Sequence, residues 1–218
     1  DLDKDDLMVA DPTVVAADQA HRVAPSVGLD LRELVDGAME CVLTGDEPFL
    51  RDHSGVLPGV MYLELFRAAA AAHAPQRRVA ALRNVSWIRL MHVPLEAGIR
   101  LRISVHDRSP EQVELAVQLP GQPPFATAQA EYGPTGPTPQ MIAESEITTD
   151  LDGSHDAVAA YRALLAANGV GVGPTFRGVR RIRTDGVQLM GELGLDEPVA
   201  GIDGFQILPS FVDGGFSA

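Results

Sequence analysis

The chain has 218 residues, enough to bury a sizeable core, and its length allows one large domain or two small ones. Its 17 Lys and Arg against 30 Asp and Glu residues give a net charge of −13, which argues against nucleic acid and anionic membranes as partners. The single cysteine, Cys41, excludes an internal disulfide, and no apolar run reaches the roughly 18 residues of a membrane span, so we expect a cytoplasmic protein.

The first half of the chain is predicted to contain one buried helix. Residues 1–28 show no strong periodicity and are interpreted as a loosely structured leader, whose acidic start lacks the order of a signal peptide. A short strand is expected to end at Leu43. Pro58 and Gly59 then begin a helix of about four turns that ends by Pro75, since proline is tolerated in a first turn. This helix is apolar on most faces and must be covered on most sides.

Downstream of the helix, the hydrophobic period changes to two, which indicates half-buried antiparallel strands. One buried helix followed by a run of such strands predicts an α+β arrangement, in which a sheet curls around a helix. The alternating segments are residues 83–88, 99–105, 113–119 and 125–132.

The second half is expected to repeat this order. Residues 133–153 include a Gly- and Pro-rich run and are assigned to a linker. A short amphipathic helix over residues 157–167 is followed by strands around 179–182 and 187–195. A proline then opens an expected second central helix at residues 209–218, so this half is predicted to be truncated.

Two side chains at equivalent ends of the two central helices can carry acid–base chemistry. His53 lies just before the first helix, and Asp213 lies in the first turn of the second. Imidazole titrates near neutrality, and an aspartic acid in an apolar pocket can stay protonated and act as an acid. Helix N-termini add N–H groups that suit a developing oxyanion. A structural histidine and a capping aspartate are the alternatives.

Four segments of the chain resemble polyketide synthase dehydratase domains. Residues 49–64 are similar to their first catalytic motif, HxxxGxxxxP, and residues 82–87 resemble the strand that follows it. Residues 173–179 resemble their YGPxFxG region, and residues 208–213 resemble the HPxLLD segment that carries the acid. The segments occur in the family's order, and the resemblance extends from about residue 29 to the end of the chain.

The fold implied by this resemblance is a double hotdog, in which two antiparallel sheets each wrap a central helix. The N-terminal hotdog is expected over residues 29–132, and a truncated C-terminal hotdog over residues 154–218. Between them lies the linker.

The activity implied by the resemblance is loss of water from a β-hydroxyacyl thioester on an acyl carrier protein, which leaves an α,β-unsaturated chain. His53 is expected to take the α-proton and Asp213 to protonate the departing hydroxyl. The N–H of Gly59, next to Pro58, is expected to polarise the thioester carbonyl. No metal or organic cofactor is expected beyond the carrier's phosphopantetheine, because the histidines show no metal-ligand spacing.

The chain departs from the family pattern at four places. Only four residues separate His53 from Pro58, so either the loop is truly shortened or residues are absent from the sequence. Val172 replaces the tyrosine of YGP, Leu208 replaces the histidine before the proline, and Ser217 stands where Gln or His commonly follows the acid. These departures motivate a second hypothesis, a catalytically silent domain that scaffolds the synthase or holds the acyl chain. A third hypothesis is double-bond isomerisation or pyran-forming cyclisation, because the same proton transfers serve these reactions.

A basic cluster stands out in this acidic chain. It is interpreted either as a solvated strand face or as a docking patch for the acidic carrier protein or its phosphopantetheine phosphate. Neighbouring synthase domains are further expected partners, and a homodimer is compatible with the resemblance. The cluster consists of Arg177, Arg180, Arg181 and Arg183.

Overall fold

The computed structural model gives a detailed view of the first half of the chain and of shorter segments of the second. It describes residues 21–22, 29–134, 152–154, 159, 163, 166–167, 173–184, 189–194, 205–207 and 212. Within these ranges, no helix combines the length and the apolar character needed to cross a membrane.

A seven-stranded antiparallel sheet forms the first half, in the order β1-β2-β3-β5-β6-β7-β4. The strands expected from hydrophobic alternation are confirmed and correspond to β4 through β7. β1 lies inside residues 1–28, the predicted leader, and the assignment of this range as a leader stays a prediction. The strands are β1 (His21–Arg22), β2 (Leu31–Glu33), β3 (Met39–Leu43), β4 (Val79–Trp87), β5 (Ile99–Ser109), β6 (Gln112–Gln118) and β7 (Ala126–Tyr132).

The predicted central helix is confirmed as α2 (Gly59–His73), which packs against β4, β5, β6 and β7. A four-residue helix, α1 (Pro48–Arg51), precedes it. Alternate residues of β6 and β7 are buried, so each strand has one face on the core. Toward its C-terminal end, α2 is joined to β7 by the Tyr132 hydroxyl, which donates to the Ala70 carbonyl at 2.8 Å. A sheet curled around an apolar helix is the arrangement that the sequence predicts.

The core around α2 contains three sulfur-bearing side chains, Met61, Met91 and Cys41. Met61 is 0% exposed and Met91 is 1% exposed. Cys41 is also buried, and burial raises the pKa of its thiol to about 12. A thiol with such a pKa stays protonated and is a poor nucleophile at neutral pH, so Cys41 acts as a small apolar core residue.

The described part of the second half contains a three-stranded antiparallel sheet in the order β10-β9-β8. These strands are β8 (Asp152–Ser154), β9 (Val179–Thr184) and β10 (Leu189–Leu193), and a 3-10 turn (Pro174–Phe176) precedes β9. β8 begins at the end of residues 133–153, and the assignment of that range as a linker stays a prediction. Both expected strands of this half, near residues 179–182 and 187–195, are confirmed.

The two helices predicted for the second half are described only at single positions. Residues 159, 163, 166 and 167 are helical, in agreement with the short helix expected over 157–167. Val212 is helical and packs against the core at the start of the expected second central helix. The other residues of 209–218 lie outside the described residues.

Candidate functional site

The connection between α1 and α2 carries His53 and is built as a tight turn. Ser54 and Gly55 both adopt left-handed backbone conformations, with φ of 56° and 78°. The Gly55 N–H donates to the Leu50 carbonyl at 2.8 Å, and the Gly55 carbonyl accepts from the Val93 N–H at 2.7 Å. A Cβ at Gly55 would lie 2.9 Å from the Val93 carbonyl oxygen, so glycine is needed here. The chain can therefore turn within the four residues between His53 and Pro58 because two successive residues adopt left-handed conformations.

His53 is held in one tautomer by the backbone of its own turn. Its Nδ1 lies 3.1 Å from the Val56 carbonyl oxygen. A carbonyl oxygen only accepts hydrogen bonds, so Nδ1 carries the hydrogen and Nε2 of the neutral ring keeps its lone pair. The ring is half-buried and lies against Phe176 of the 3-10 turn, with the ring centroids 5.2 Å apart. The basic Nε2 of His53 thus lies beside Phe176 of the second half, and the catalytic role of His53 stays a prediction.

Burial lowers the pKa of His53 below 6.5, and the hydrogen bond to Val56 opposes this only in part. We expect an NMR titration of the His53 ring to give a midpoint below 6.5, with the signal assigned by its absence from a His53→Gln variant. The unfolded chain binds a proton at His53 more readily than the folded chain. This group's contribution to stability is therefore complete above pH 6.5 and is lost as pH falls toward the folded pKa. A midpoint at or above 6.5 would contradict the burial seen here.

The N-terminus of α2 supplies unoccupied backbone donors beside this turn. Pro58 is the N-cap residue in an extended conformation, with φ of −60° and ψ of 139°, and Gly59 is the first helical residue. Among residues 29–134, no backbone carbonyl accepts from the N–H of Gly59 or of Val60. Such groups carry the positive end of the helix dipole and can bind a developing oxyanion. His53 and the Gly59 N–H thus lie on one short connection, and their catalytic roles stay predictions.

Trp87 covers the same helix end. Its indole N–H donates to the Gly59 carbonyl at 2.8 Å, and a Cβ at Gly59 would lie only 3.3 Å from the indole nitrogen. The Trp87 side chain is 47% exposed. Trp87 is therefore not a core residue, although its indole packs on the first residue of α2.

Asp52, immediately before His53, binds the second-half motif. Its Oδ2 accepts from the Thr175 N–H at 2.7 Å and also from the Thr175 hydroxyl. Its backbone carbonyl accepts from the Gly173 N–H at 2.8 Å. A Cβ at Gly173 would lie 2.3 Å from the Asp52 carboxyl carbon, so the approach requires glycine. These contacts, called here the Asp52–Thr175 contact, hold Phe176 against His53.

Glu64, on α2, binds a second segment of the C-terminal half. The Glu64 side chain is 2% exposed and accepts from Arg67 Nε at 2.8 Å and from an Arg67 terminal nitrogen at 2.6 Å. It also accepts from the backbone N–H groups of Gln206 at 3.4 Å and Ile207 at 3.1 Å. Phe205, which directly precedes Gln206, contacts Phe49 of α1 edge to face, with the ring centroids 6.4 Å apart.

The sequence-based prediction of the site did not include Asp52, Glu64 or Thr175. One signal was present for Glu64, which is a carboxylate inside an otherwise apolar helix and stands three residues before Arg67. Ion pairs at this spacing lie on one helix face. Asp52 had no such signal, because its partner is distant in sequence.

The remaining predicted site residues lie largely beyond the residues that the structure describes. Leu208, Asp213 and Ser217 lie outside them, and so do the side chains of Arg181 and Arg183. Arg177 and Arg180 are exposed. Their roles stay predictions. Across the described ranges, no group of three His, Cys, Asp or Glu side chains is arranged to hold a metal ion.

The sequence of this chain matches the model of a known protein family. The model of the polyketide synthase dehydratase domain matches residues 26–119, which include the His53 turn, α2 and β2 through β6. Residues 26–119 belong to the polyketide synthase dehydratase domain family. A curated relative, the polyketide synthase ThaG of Burkholderia thailandensis, is 32% identical over 81% of the chain. The chain spans 3% of the length of ThaG.

Solved structures confirm the hotdog fold of this dehydratase domain. One, from work on dehydratase substrate selection in the borrelidin and fluvirucin polyketide synthases, superposes with a TM-score of 0.69 at 22% identity, and covers 90% of this chain and 73% of its own. A pyran synthase domain from module nine of the sorangicin pathway superposes with a TM-score of 0.64 at 23% identity, and covers 89% and 67%. At these identities the similarity establishes the architecture.

Proposed function

We propose that this dehydratase domain removes water from a β-hydroxyacyl chain held as a thioester on an acyl carrier protein. The observation that carries the proposal is the tautomer of His53. Because Nδ1 donates to the Val56 carbonyl, the Nε2 lone pair is available as a base on the connection that ends in the free N–H of Gly59. Family membership supports the same reaction.

In the proposed mechanism, His53 Nε2 takes the proton from the carbon next to the thioester carbonyl. Negative charge then develops on the carbonyl oxygen, where the Gly59 N–H and the helix dipole stabilise it. Asp213 gives its proton to the β-hydroxyl, the carbon–oxygen bond breaks, and water leaves. The α,β double bond forms from the electron pair of the broken C–H bond. Proton exchange with solvent then restores the acid and the base.

The partners proposed for the domain follow from this substrate. The acyl chain arrives on the phosphopantetheine of an acyl carrier protein, and the domain itself uses no metal or organic cofactor. The cluster of Arg177, Arg180, Arg181 and Arg183 is the proposed docking patch for the acidic carrier protein. Neighbouring synthase domains, a homodimeric arrangement and a cytoplasmic location are part of the same proposal.

The experiment that tests the proposal follows the mass of a carrier-bound β-hydroxyacyl substrate during incubation with the protein. We expect loss of one water with the parent and none with Asp213→Asn, which keeps the side-chain volume but cannot supply the proton. Asp107→Asn, at a carboxylate 73% exposed on β5, is the matched control and should retain activity.

Each other outcome has a defined meaning. An unchanged mass with a bound carrier would overturn dehydration and favour the silent scaffold. If the mass stays constant but an enoyl or hydroxy-enoyl substrate changes its chromatographic retention, the reaction is isomerisation or ring closure instead of dehydration. Water loss that persists in Asp213→Asn would remove Asp213 from the mechanism.

A further inference from the structure

The carboxylate of Glu64 on α2 binds both Arg67 of the same helix and the backbone of residues 206–207, which precede Asp213 in the chain. The Glu64 carboxylate receives two hydrogen bonds from Arg67 and two from the backbone of Gln206 and Ile207. We infer that Glu64 is a positioning residue, which fixes the approach of the Asp213-bearing segment to α2. This inference rests on the proposed function, in which Asp213 is the acid.

The hydrogen bonding of Glu64 leaves little freedom to the segment. An ionised carboxylate has about four lone-pair sites, and four donors occupy them here. Bonds to an ionised acceptor are roughly twice as strong as neutral ones. If residues 206–207 moved away, a carboxylate that is 2% exposed would lose two of its four hydrogen-bond donors. The arrangement therefore favours one position of the segment.

The placement of Glu64 suits a role in catalysis. Glu64 lies about one and a half turns from Gly59 on the same rigid helix, so one element offers the oxyanion donor and fixes the acid-bearing segment. Phe205 adds a second attachment through its contact with Phe49 of α1, the helix that leads to His53. The base, the oxyanion donor and the path toward the acid are thus fixed to neighbouring elements. Misplacement of a reacting group by about 1 Å can cost roughly 10²-fold in rate.

The test compares Glu64→Gln with the parent in the full chain. Glutamine keeps the side-chain volume, but its NH₂ group replaces one carboxylate oxygen and so faces N–H donors of Arg67 and residues 206–207. We expect hydrogen exchange at the Gln206 and Ile207 amides to become roughly tenfold faster or more. We also expect kcat for water loss to fall roughly 10- to 100-fold with little change in KM. Glu64→Asp, which keeps the charge, should restore part of kcat.

Two further variants separate positioning from a general loss of structure. Glu131→Gln on β7 breaks an exposed ion pair with Arg83 of β4 and should change neither amide exchange at residues 206–207 nor kcat. Arg67→Lys keeps Glu64 paired through one hydrogen bond, and its kcat should lie between those of the parent and Glu64→Gln. This variant provides the test if Glu64→Gln fails to fold.

The outcomes distinguish this inference from the proposed function. Unchanged exchange at Gln206 and Ile207 in Glu64→Gln overturns the inference, and so does faster exchange with an unchanged kcat. A parent protein without turnover overturns the proposed function and the catalytic part of the inference together. The amide exchange would then still decide whether Glu64 holds the segment.

Discussion

His53→Gln is expected to reduce water loss from a β-hydroxyacyl carrier substrate by roughly 10²- to 10⁴-fold, the usual contribution of a positioned general base. Glutamine has a side-chain amide in place of the imidazole and can still donate to the Val56 carbonyl, so the turn should remain intact. It has no basic nitrogen, so no group at that position can accept the α-proton. The rate is measured by mass spectrometry in single-turnover reactions, which isolates the chemical step from product release.

The matched control for this variant is His106→Gln, at an exposed position on β5. We expect its rate and its unfolding free energy to equal those of the parent. Circular dichroism and thermal unfolding should show that His53→Gln is folded. Equal rates for His53→Gln and the parent would remove His53 as the base, however well the family motif matches.

The sequence predicts the N-terminal half well because its signals are local. Pro58 and Gly59 indicate the start of α2, and a run of apolar residues and alanines indicates its burial. β4 through β7 are each long enough to show alternation, so their pattern is independent of distant partners. The turn that carries His53 is also local, because its backbone contact to Val56 is made by a near neighbour, but the role of His53 stays a prediction.

The sequence misses elements whose formation depends on distant partners. β1 and β8 have two and three residues, too few for an alternating pattern to emerge from a region without strong periodicity. Each exists because a longer or better-defined neighbour pairs with it, β2 in one case and β9 in the other. Composition alone therefore placed one in a leader and the other in a linker.

The polar contacts between the two halves escape prediction for a related reason. Asp52 and Thr175 are 123 residues apart, and Glu64 and Ile207 are 143 apart. Carboxylates normally lie at the surface. The sequence marks Glu64 as unusual inside an apolar helix, but it does not indicate the distant backbone partner of either carboxylate. Only the packing of the second half against α1 and α2 shows that both acidic side chains bind backbone N–H groups.

Removal of the Asp52–Thr175 contact is the second change with a large expected effect. Asp52→Ala leaves the N–H and the hydroxyl of Thr175 without their acceptor, at a residue that is only 2% exposed. Loss of such bonds costs about 1–3 kcal/mol for each unsatisfied group, so we expect a loss of roughly 2–5 kcal/mol in unfolding free energy. Urea unfolding measures it. Asp52→Asn, which keeps an acceptor oxygen, should lose less.

The effect should also reach His53, because the Asp52–Thr175 contact holds Phe176 against the imidazole. When Phe176 moves away, water reaches the ring and its pKa should rise toward 6.5, the reverse of the shift that burial causes. NMR titration of His53 in Asp52→Ala follows this change. Asp46→Ala, which breaks only an exposed ion pair with Arg51 of α1, is the matched control. If Asp46→Ala and Asp52→Ala shift the His53 midpoint equally, the shift comes from charge at this end of the fold, and the contact does not shield His53.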